Sequence, residues 1–213
     1  MTRQDSKRGK FITLEGTEGV GKSTQLEFIA EFLRQQGKIV VTTREPGGTA
    51  AAEMIREILL QSEPGTLSDR CELLLMFAAR ASHLDELILP ALERGEWVVC
   101  DRFTDATYAY QGGGRGLSDA AISELDTWVT GSLVPDLTIL LDASLEITAE
   151  RRRNRGLTDR FEKERADFFT RVRAKYHEIA SRNPGRVKSV DAADPIDVVQ
   201  RNLAKILANF ITN

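Results

Sequence analysis

A single α/β domain built on a parallel sheet is the fold class this 213-residue sequence predicts. Short apolar runs recur along the chain, longer amphipathic stretches separate them, and no repeat, linker or low-complexity segment interrupts the series. Alternation on that scale is expected of βα units wound into a parallel sheet. A chain of this length buries roughly 70% of the surface that its unfolded form exposes, so its core needs neither a metal nor a disulfide.

Taken in order, the first strand spans 10–15 and runs straight into a glycine-bearing turn. Helix 22–36 follows and stops at Gly37, a residue that adopts the left-handed conformation closing many helices. Strand 38–43 leads to helices 49–61 and 69–94, then to strand 96–101. The glycines between Gln111 and Gly116 suggest a mobile loop. Helix 118–130, strand 136–142 and helix 144–154 come next, and 155–159 reads as a second mobile loop. Helix 160–182, strand 186–190 and helix 194–211 complete the chain, all of it one domain, 1–213, with 1–9 expected to be disordered.

Composition narrows the partners. Lys and Arg number 29 against 32 Asp and Glu, a formal net charge of −3, so no global field draws the chain to nucleic acid or to an anionic membrane. No apolar run reaches the roughly 18 residues of a membrane span, and no signal-type apolar core follows the basic start. Cys71 and Cys100 form no CxxC pair and read as buried reduced thiols, which suits the cytoplasm.

The strongest local signal is Gly16-Thr17-Glu18-Gly19-Val20-Gly21-Lys22-Ser23, followed by Thr24, which fits GxxxxGK[ST] between a strand and a helix. Small residues there let backbone N–H groups converge on phosphate oxygens, and the helix N-terminus adds partial positive charge. Lys22 would reach the β and γ phosphates of ATP, and the Ser23 hydroxyl would ligate Mg²⁺. A regulatory GTPase would also carry an NKxD-type guanine reader, and no Asn-Lys pair occurs. Small-substrate kinase chemistry remains.

Asp101 and Arg102 end the third strand, where open α/β sheets bind ligands; Asp101 could assist Mg²⁺ through water and Arg102 could clamp a phosphate. Arg44-Glu45-Pro46-Gly47-Gly48-Thr49 and Arg56 form a second basic candidate. Arg151, Arg152, Arg153, Arg155 and Arg160 cluster near 151–160, as a lid supplying a catalytic arginine in cis would require. A phosphate-monoester acceptor, with its second pKa about 6, needs no general base. That fits His83 and His177, which lie outside every motif. A nucleoside acceptor would need a base, for which Glu18 is the one candidate.

These segments closely resemble one family. Asp101-Arg102 with Ala109-Tyr110-Gln111-Gly112-Gly113-Gly114-Arg115-Gly116, Thr43 to Thr49, and Phe77-Ala78-Ala79-Arg80 are similar to signatures of bacterial thymidylate kinase, in that family's order over about 10–165. The resemblance implies phosphorylation of dTMP to dTDP by ATP with Mg²⁺, a homodimer, and a three-layer P-loop kinase fold with sheet order 2-3-1-4-5. It implies that Arg80 bonds the thymine ring, that Arg56 and Arg102 hold the dTMP phosphate, and that Glu45, Thr107 and Gln111 belong to the substrate site, the last two at the base edge. Tyr110 would lie under the deoxyribose, and Glu18, on the substrate side, places the catalytic arginine in the lid, with Arg155 and Arg160 as candidates. Where the family usually carries a stacking aromatic this chain has Met76; Phe77, beside it, is the expected cover of the base. Phe161, Phe168 and Phe169 are expected in the core, and Trp128 in the core or at a subunit contact.

Overall fold

The computed structural model describes residues 8–63, 65–131, 133–155, 160–161 and 164–212, the side chains of 154 and 155 excepted. Five parallel strands form the sheet: β1 (Phe11–Glu15), β2 (Val40–Arg44), β3 (Trp97–Asp101), β4 (Leu137–Asp142) and β5 (Val187–Asp191). Their order is β2-β3-β1-β4-β5, the expected one. Central β1 pairs with β3 and β4 and is buried throughout. Period-two alternation sends Ile12, Leu14 and Val99 into a cluster with Ile29 and Leu33 of α1 (Lys22–Gln35) and Val199, Leu203 and Leu207 of α9 (Ile196–Thr212). Phe11, Val98 and Cys100 face the other way, onto Leu84, Ile88 and Leu92.

Between these lie α2 (Ala50–Gln61), α3 (Asp69–His83), α4 (Leu89–Glu93), α5 (Thr104–Thr107), α6 (Asp119–Thr130), α7 (Leu145–Arg155) and α8 (Ala166–Arg182). Thr49, Ser68 and Ser118 cap α2, α3 and α6 by accepting from the N–H three residues on. Each such cap contributes about 1 kcal/mol.

Several expectations are corrected. The helix expected over 69–94 widens into a π-type turn at Leu84–Ile88 before α4. Pro90 explains it, because the proline ring cannot donate to Glu86 four residues back and crowds that carbonyl. The glycine run expected to be a mobile loop is instead a wide helical segment, Tyr108–Gly114, continuing α5. Its glycines serve close packing: a Cβ on Gly113 would lie 2.8 Å from Lys175 Cβ, and one on Gly114 2.4 Å from the Phe168 ring.

α8 starts at Ala166 rather than at 160. Order begins earlier than expected, since Gly9 is buried and its N–H donates to Leu92 O; residues 1–7 lie outside the described residues, as does the loop 156–159. Cys71 is only partly buried, whereas Cys100 is fully so. Phe161, Phe168 and Phe169 are core residues, and Trp128, 82% exposed, is not.

Candidate active site

Sheet register gathers the site. Leu14 of β1 and Arg44 of β2 both pair with Asp101 of β3, so Glu15, Glu45, Asp101 and Arg102 emerge together at the carboxyl edge. A cavity of about 700 Å³ opens there. Its walls take Glu18, Gly19, Gly21, Lys22, Ser23 and Thr24 from the turn after β1, and Arg56, Met76, Arg80, Thr107 and Gln111 from the helices facing it.

The turn needs its glycines. Gly16, Gly19 and Gly21 have φ of 137°, 88° and 91°, conformations that L side chains rarely adopt. A Cβ would also lie 2.3 Å from Leu141 O at Gly16 and 2.6 Å from Thr148 O at Gly19. Thr17 and Val20 are buried, Val20 within the core, and neither lines the cavity, nor does Gly16. Lys22 Nζ folds back onto the carbonyls of Gly16 and Thr17, at 3.2 and 3.1 Å. Burial, with the Arg102 charge nearby, pushes its ammonium down to about 8. A cation so placed gains from any anion entering the turn.

Arg102 is the centre of a hydrogen-bonded group on the cavity wall. Its φ of 72° puts a non-glycine residue in the left-handed region, at a cost of about 1–2 kcal/mol. Nη2 donates to Glu18 Oε1 at 2.9 Å and to the Tyr110 hydroxyl at 3.0 Å, and the guanidinium lies 4.7 Å over the Tyr110 ring. Tyr110 in turn donates to the Glu18 carboxylate at 2.7–2.8 Å. Burial works to raise the Glu18 carboxyl, but Arg102 and Lys22 outweigh it and hold the group below the usual carboxylate range.

Behind Arg102 lies a layer with no sequence signal. Nη1 donates to the Tyr176 hydroxyl at 3.2 Å, and Tyr176 donates to Glu15 Oε2 at 2.8 Å. Glu15 Oε1 accepts from the Phe103 N–H at 2.8 Å. Burial and the neighbouring Asp105 push Glu15 up to about 8. Asp101, which lines the same cavity as Ser23, keeps a buried Oδ1 without a partner among the described residues. An orphaned carboxylate oxygen in a cavity that also holds a serine hydroxyl fits a hard cation or its bound water.

On the facing wall Arg80 is almost wholly buried. Its Nε donates to Glu45 Oε2 at 2.7 Å, and Nη2 donates to Thr107 Oγ1 at 3.0 Å and Phe103 O at 3.2 Å, leaving Nη1 without a partner among the described residues. The other Glu45 oxygen meets His83 Nδ1 at 3.1 Å, and His83 Nε2 meets Thr43 Oγ1 at 2.6 Å. His83, which no motif claims, therefore braces the brace of Arg80. Gly48 makes room for it, since a Cβ there would lie 2.5 Å from His83 Nε2. Arg56 lines the cavity and donates to Pro46 O at 2.8 Å.

Two expected site residues are displaced. Phe77 does not face the cavity: it packs with Leu73 and Ile122 beneath the Arg80 guanidinium, and Met76 lines the cavity in its place. One residue turns a helix by about 100°, so the face packed against α6 decides which side chain looks inward. Arg160 is not presented to the phosphate turn. It is buried, donating to Leu59 O and to the carboxylate of Glu72, because a buried carboxylate requires cationic partners. The Arg155 side chain lies outside the described residues; its neighbour Arg151 lines the cavity, and Arg152 donates to Glu18 O at 3.3 Å.

The family model described as thymidylate kinase matches residues 14–203. Thymidylate kinases from Teredinibacter turnerae and Pseudomonas savastanoi pv. phaseolicola are 53% and 55% identical over 203 residues, covering 95% of this chain and 99% and 97% of theirs. A crystal structure of thymidylate kinase from Ehrlichia chaffeensis superposes with a TM-score of 0.75 at 33% identity, covering 94% of this chain and 99% of that one. A glycine turn shaped for phosphates, an arginine wall facing it and this likeness along nearly the whole chain agree: the chain belongs to the thymidylate kinase family.

Proposed function

We propose that this protein phosphorylates dTMP to dTDP by in-line transfer of the ATP γ-phosphoryl group, supplying the precursor of dTTP. The observation that carries this reading is the shared cavity in which Lys22 and the glycine turn face Arg102, Arg56 and Arg80. Backbone N–H groups of the turn and Lys22 hold the β and γ phosphates of ATP, while Arg102 and Arg56 hold the acceptor phosphate. That phosphate, with its second pKa about 6, is mostly dianionic near neutrality, so no proton need be removed. The barrier is the approach of two anions, and fixed cations lower it.

Arg102 arrives already oriented, since Glu18, Tyr110 and Tyr176 fix both of its terminal nitrogens. Tyr110 serves as the floor under the sugar. Arg80 donates to a carbonyl of the base, Thr107 and Gln111 line its edge, and Met76 covers its face. Ser23 and Asp101 would hold Mg²⁺, which when bound neutralises charge on the phosphate chain. With Ser23 and Asp101 as its protein ligands, the ion would take its remaining ligands from phosphate and water. Arg155 remains the lid arginine we assign to the transferring group. A nucleoside acceptor is disfavoured because Glu18, held ionised by Arg102 and Lys22, is a poor base for a hydroxyl.

The enzyme is a cytoplasmic homodimer in this reading. Cys71 and Cys100 are free thiols, and no helix among the described residues is long and apolar enough to cross a membrane. Met54, Ile58, Leu74 and Trp128 of α2, α3 and α6 expose apolar surface, and light scattering should give twice the chain mass. The test of activity is ADP release from Mg-ATP with dTMP, dUMP, dCMP, dGMP, AMP, ribo-TMP and thymidine. Turnover on dTMP with a large loss on the ribose form is expected; silence on dTMP would overturn the substrate assignment.

A further inference from the structure

We infer that the buried carboxylate of Glu72 determines which nucleobase the cavity accepts, by fixing which end of the Gln111 amide faces the ligand. The inference rests on the proposed acceptor site and deepens it.

Glu72, on α3, is 1% exposed. Its Oε1 accepts from Gln111 Nε2 at 2.8 Å and Arg115 Nε at 3.2 Å; its Oε2 accepts from Arg115 Nη2 at 3.1 Å and from Arg160 Nη2. It is paired with two guanidinium groups, and a carboxylate only accepts. The amide must therefore present its NH₂ to Glu72, for its carbonyl oxygen there would face lone pairs. No other side-chain hydrogen bond orients Gln111 among the described residues. Gln111 is itself 1% exposed and lines the cavity, so Oε1 is the end left for a ligand.

Across the same wall Arg80 offers only donors. A base that satisfies both must carry an N–H beside a carbonyl, the pattern of a thymine or uracil edge. A cytosine edge carries a bare ring nitrogen beside an amino group, which sets acceptor against acceptor and donor against donor. Burial of Gln111 and Arg80 makes each mismatch expensive, because a polar group left unpaired against them is held away from water. Glu72 touches no substrate in this arrangement. It is a positioning residue, and what it positions is a polarity.

The experiment compares kcat/KM and calorimetric Kd for dTMP and dCMP in the wild type, Glu72→Gln, Gln111→Leu and the double variant. Wild-type turnover on dTMP is measured first: without it the proposed function fails, and the inference falls with it. Given that turnover, Glu72→Gln can donate to Gln111 and turn the amide round. The dTMP to dCMP ratio should then fall by roughly tenfold or more, chiefly through KM. Gln111→Leu should lower the ratio similarly, and Glu72→Gln should add nothing in the Gln111→Leu background. A purely structural role predicts equal losses on both nucleotides, an unmoved ratio and additive effects, and any of these overturns the inference. Should Glu72→Gln fail to fold, the exchange of Glu72→Gln with Gln111→Glu keeps one carboxylate in the cluster and returns an acceptor to the cavity. Recovery of the dTMP preference to within a few-fold of wild type supports the inference, and loss of that preference overturns it.

Discussion

Along one wall of the cavity, consecutive residues from Gly16 to Ser23 shape a phosphate cradle from backbone, three positive φ angles and one lysine. Across from it stand Met76 and Arg80 of α3 with Thr107 and Gln111 of α5 and its wide continuation, Arg80 held by Glu45, which His83 backs, and Gln111 held by Glu72. The first wall is local structure, set by chain geometry within one turn. The second is tertiary, set by buried ion pairs that exist only when β2, α3 and the wide helix after α5 have docked. Phosphates are alike in every nucleotide, so a rigid backbone cradle suffices. A base must be distinguished from others, and that takes side chains whose donors and acceptors are fixed from behind.

The sharpest break falls on the cradle. Lys22→Ala should lower kcat by about 10²–10³-fold, as loss of a preorganised charge does. It should leave the melting temperature unchanged or raised, because burial already penalises this ammonium in the ligand-free protein. A fall in melting temperature that accounts for the lost activity would contradict the assignment.

Paired glycine variants separate the two walls. Gly19→Ala meets Thr148 O at 2.6 Å in a left-handed conformation, whereas Gly114→Ala meets the Phe168 ring at 2.4 Å in a helical one. The first should raise KM for ATP while sparing Kd for dTMP. The second, an overpacking change of about 1–3 kcal/mol, should lower the melting temperature and weaken dTMP more than ATP. Equal effects of both variants on both ligands would erase the distinction.

Tyr176→Phe removes the hydroxyl that bridges Glu15 and Arg102. We expect kcat to fall by about 10–150-fold, the worth of one hydrogen bond to a charged group, with KM for ATP unchanged. A wild-type kcat would show that Arg102 needs no support from behind.

The smallest effect is on pH-dependent stability. Glu15 has its folded-state pKa raised to about 8, chiefly by burial. Its contribution is present in full below the ordinary carboxylate pKa and is lost as pH rises through about 8. Glu15→Gln should therefore flatten the decline in melting temperature between pH 6 and 9, and an unchanged slope would count against the shift.

Much of this was legible before folding. The cradle, the five strands and the carboxyl-edge position of Asp101 and Arg102 follow from period, spacing and the motif, which are properties of neighbouring residues, whereas the order of the strands came from resemblance. Arg56, Arg80, Thr107, Tyr110 and Gln111 came from resemblance and do line the cavity. What escaped shares one cause. Met76 and Phe77 sit on the same helix, and only the packing of Phe77 with Ile122 says which turns inward. Arg160 looks like a lid arginine until Glu72, 88 positions away, is seen to hold it. Gly113 and Gly114 look flexible until α8 is laid against them, and Gly112 until α6 is.

Amphipathic period, helix caps and the glycine cradle are written in the sequence because each depends on backbone dihedrals and side chains a few residues apart. The orientation of Arg102, the brace of Arg80 and the polarity of Gln111 arise from tertiary contacts. Buried charges choose their partners by proximity in the folded core, and that proximity has no counterpart in sequence spacing.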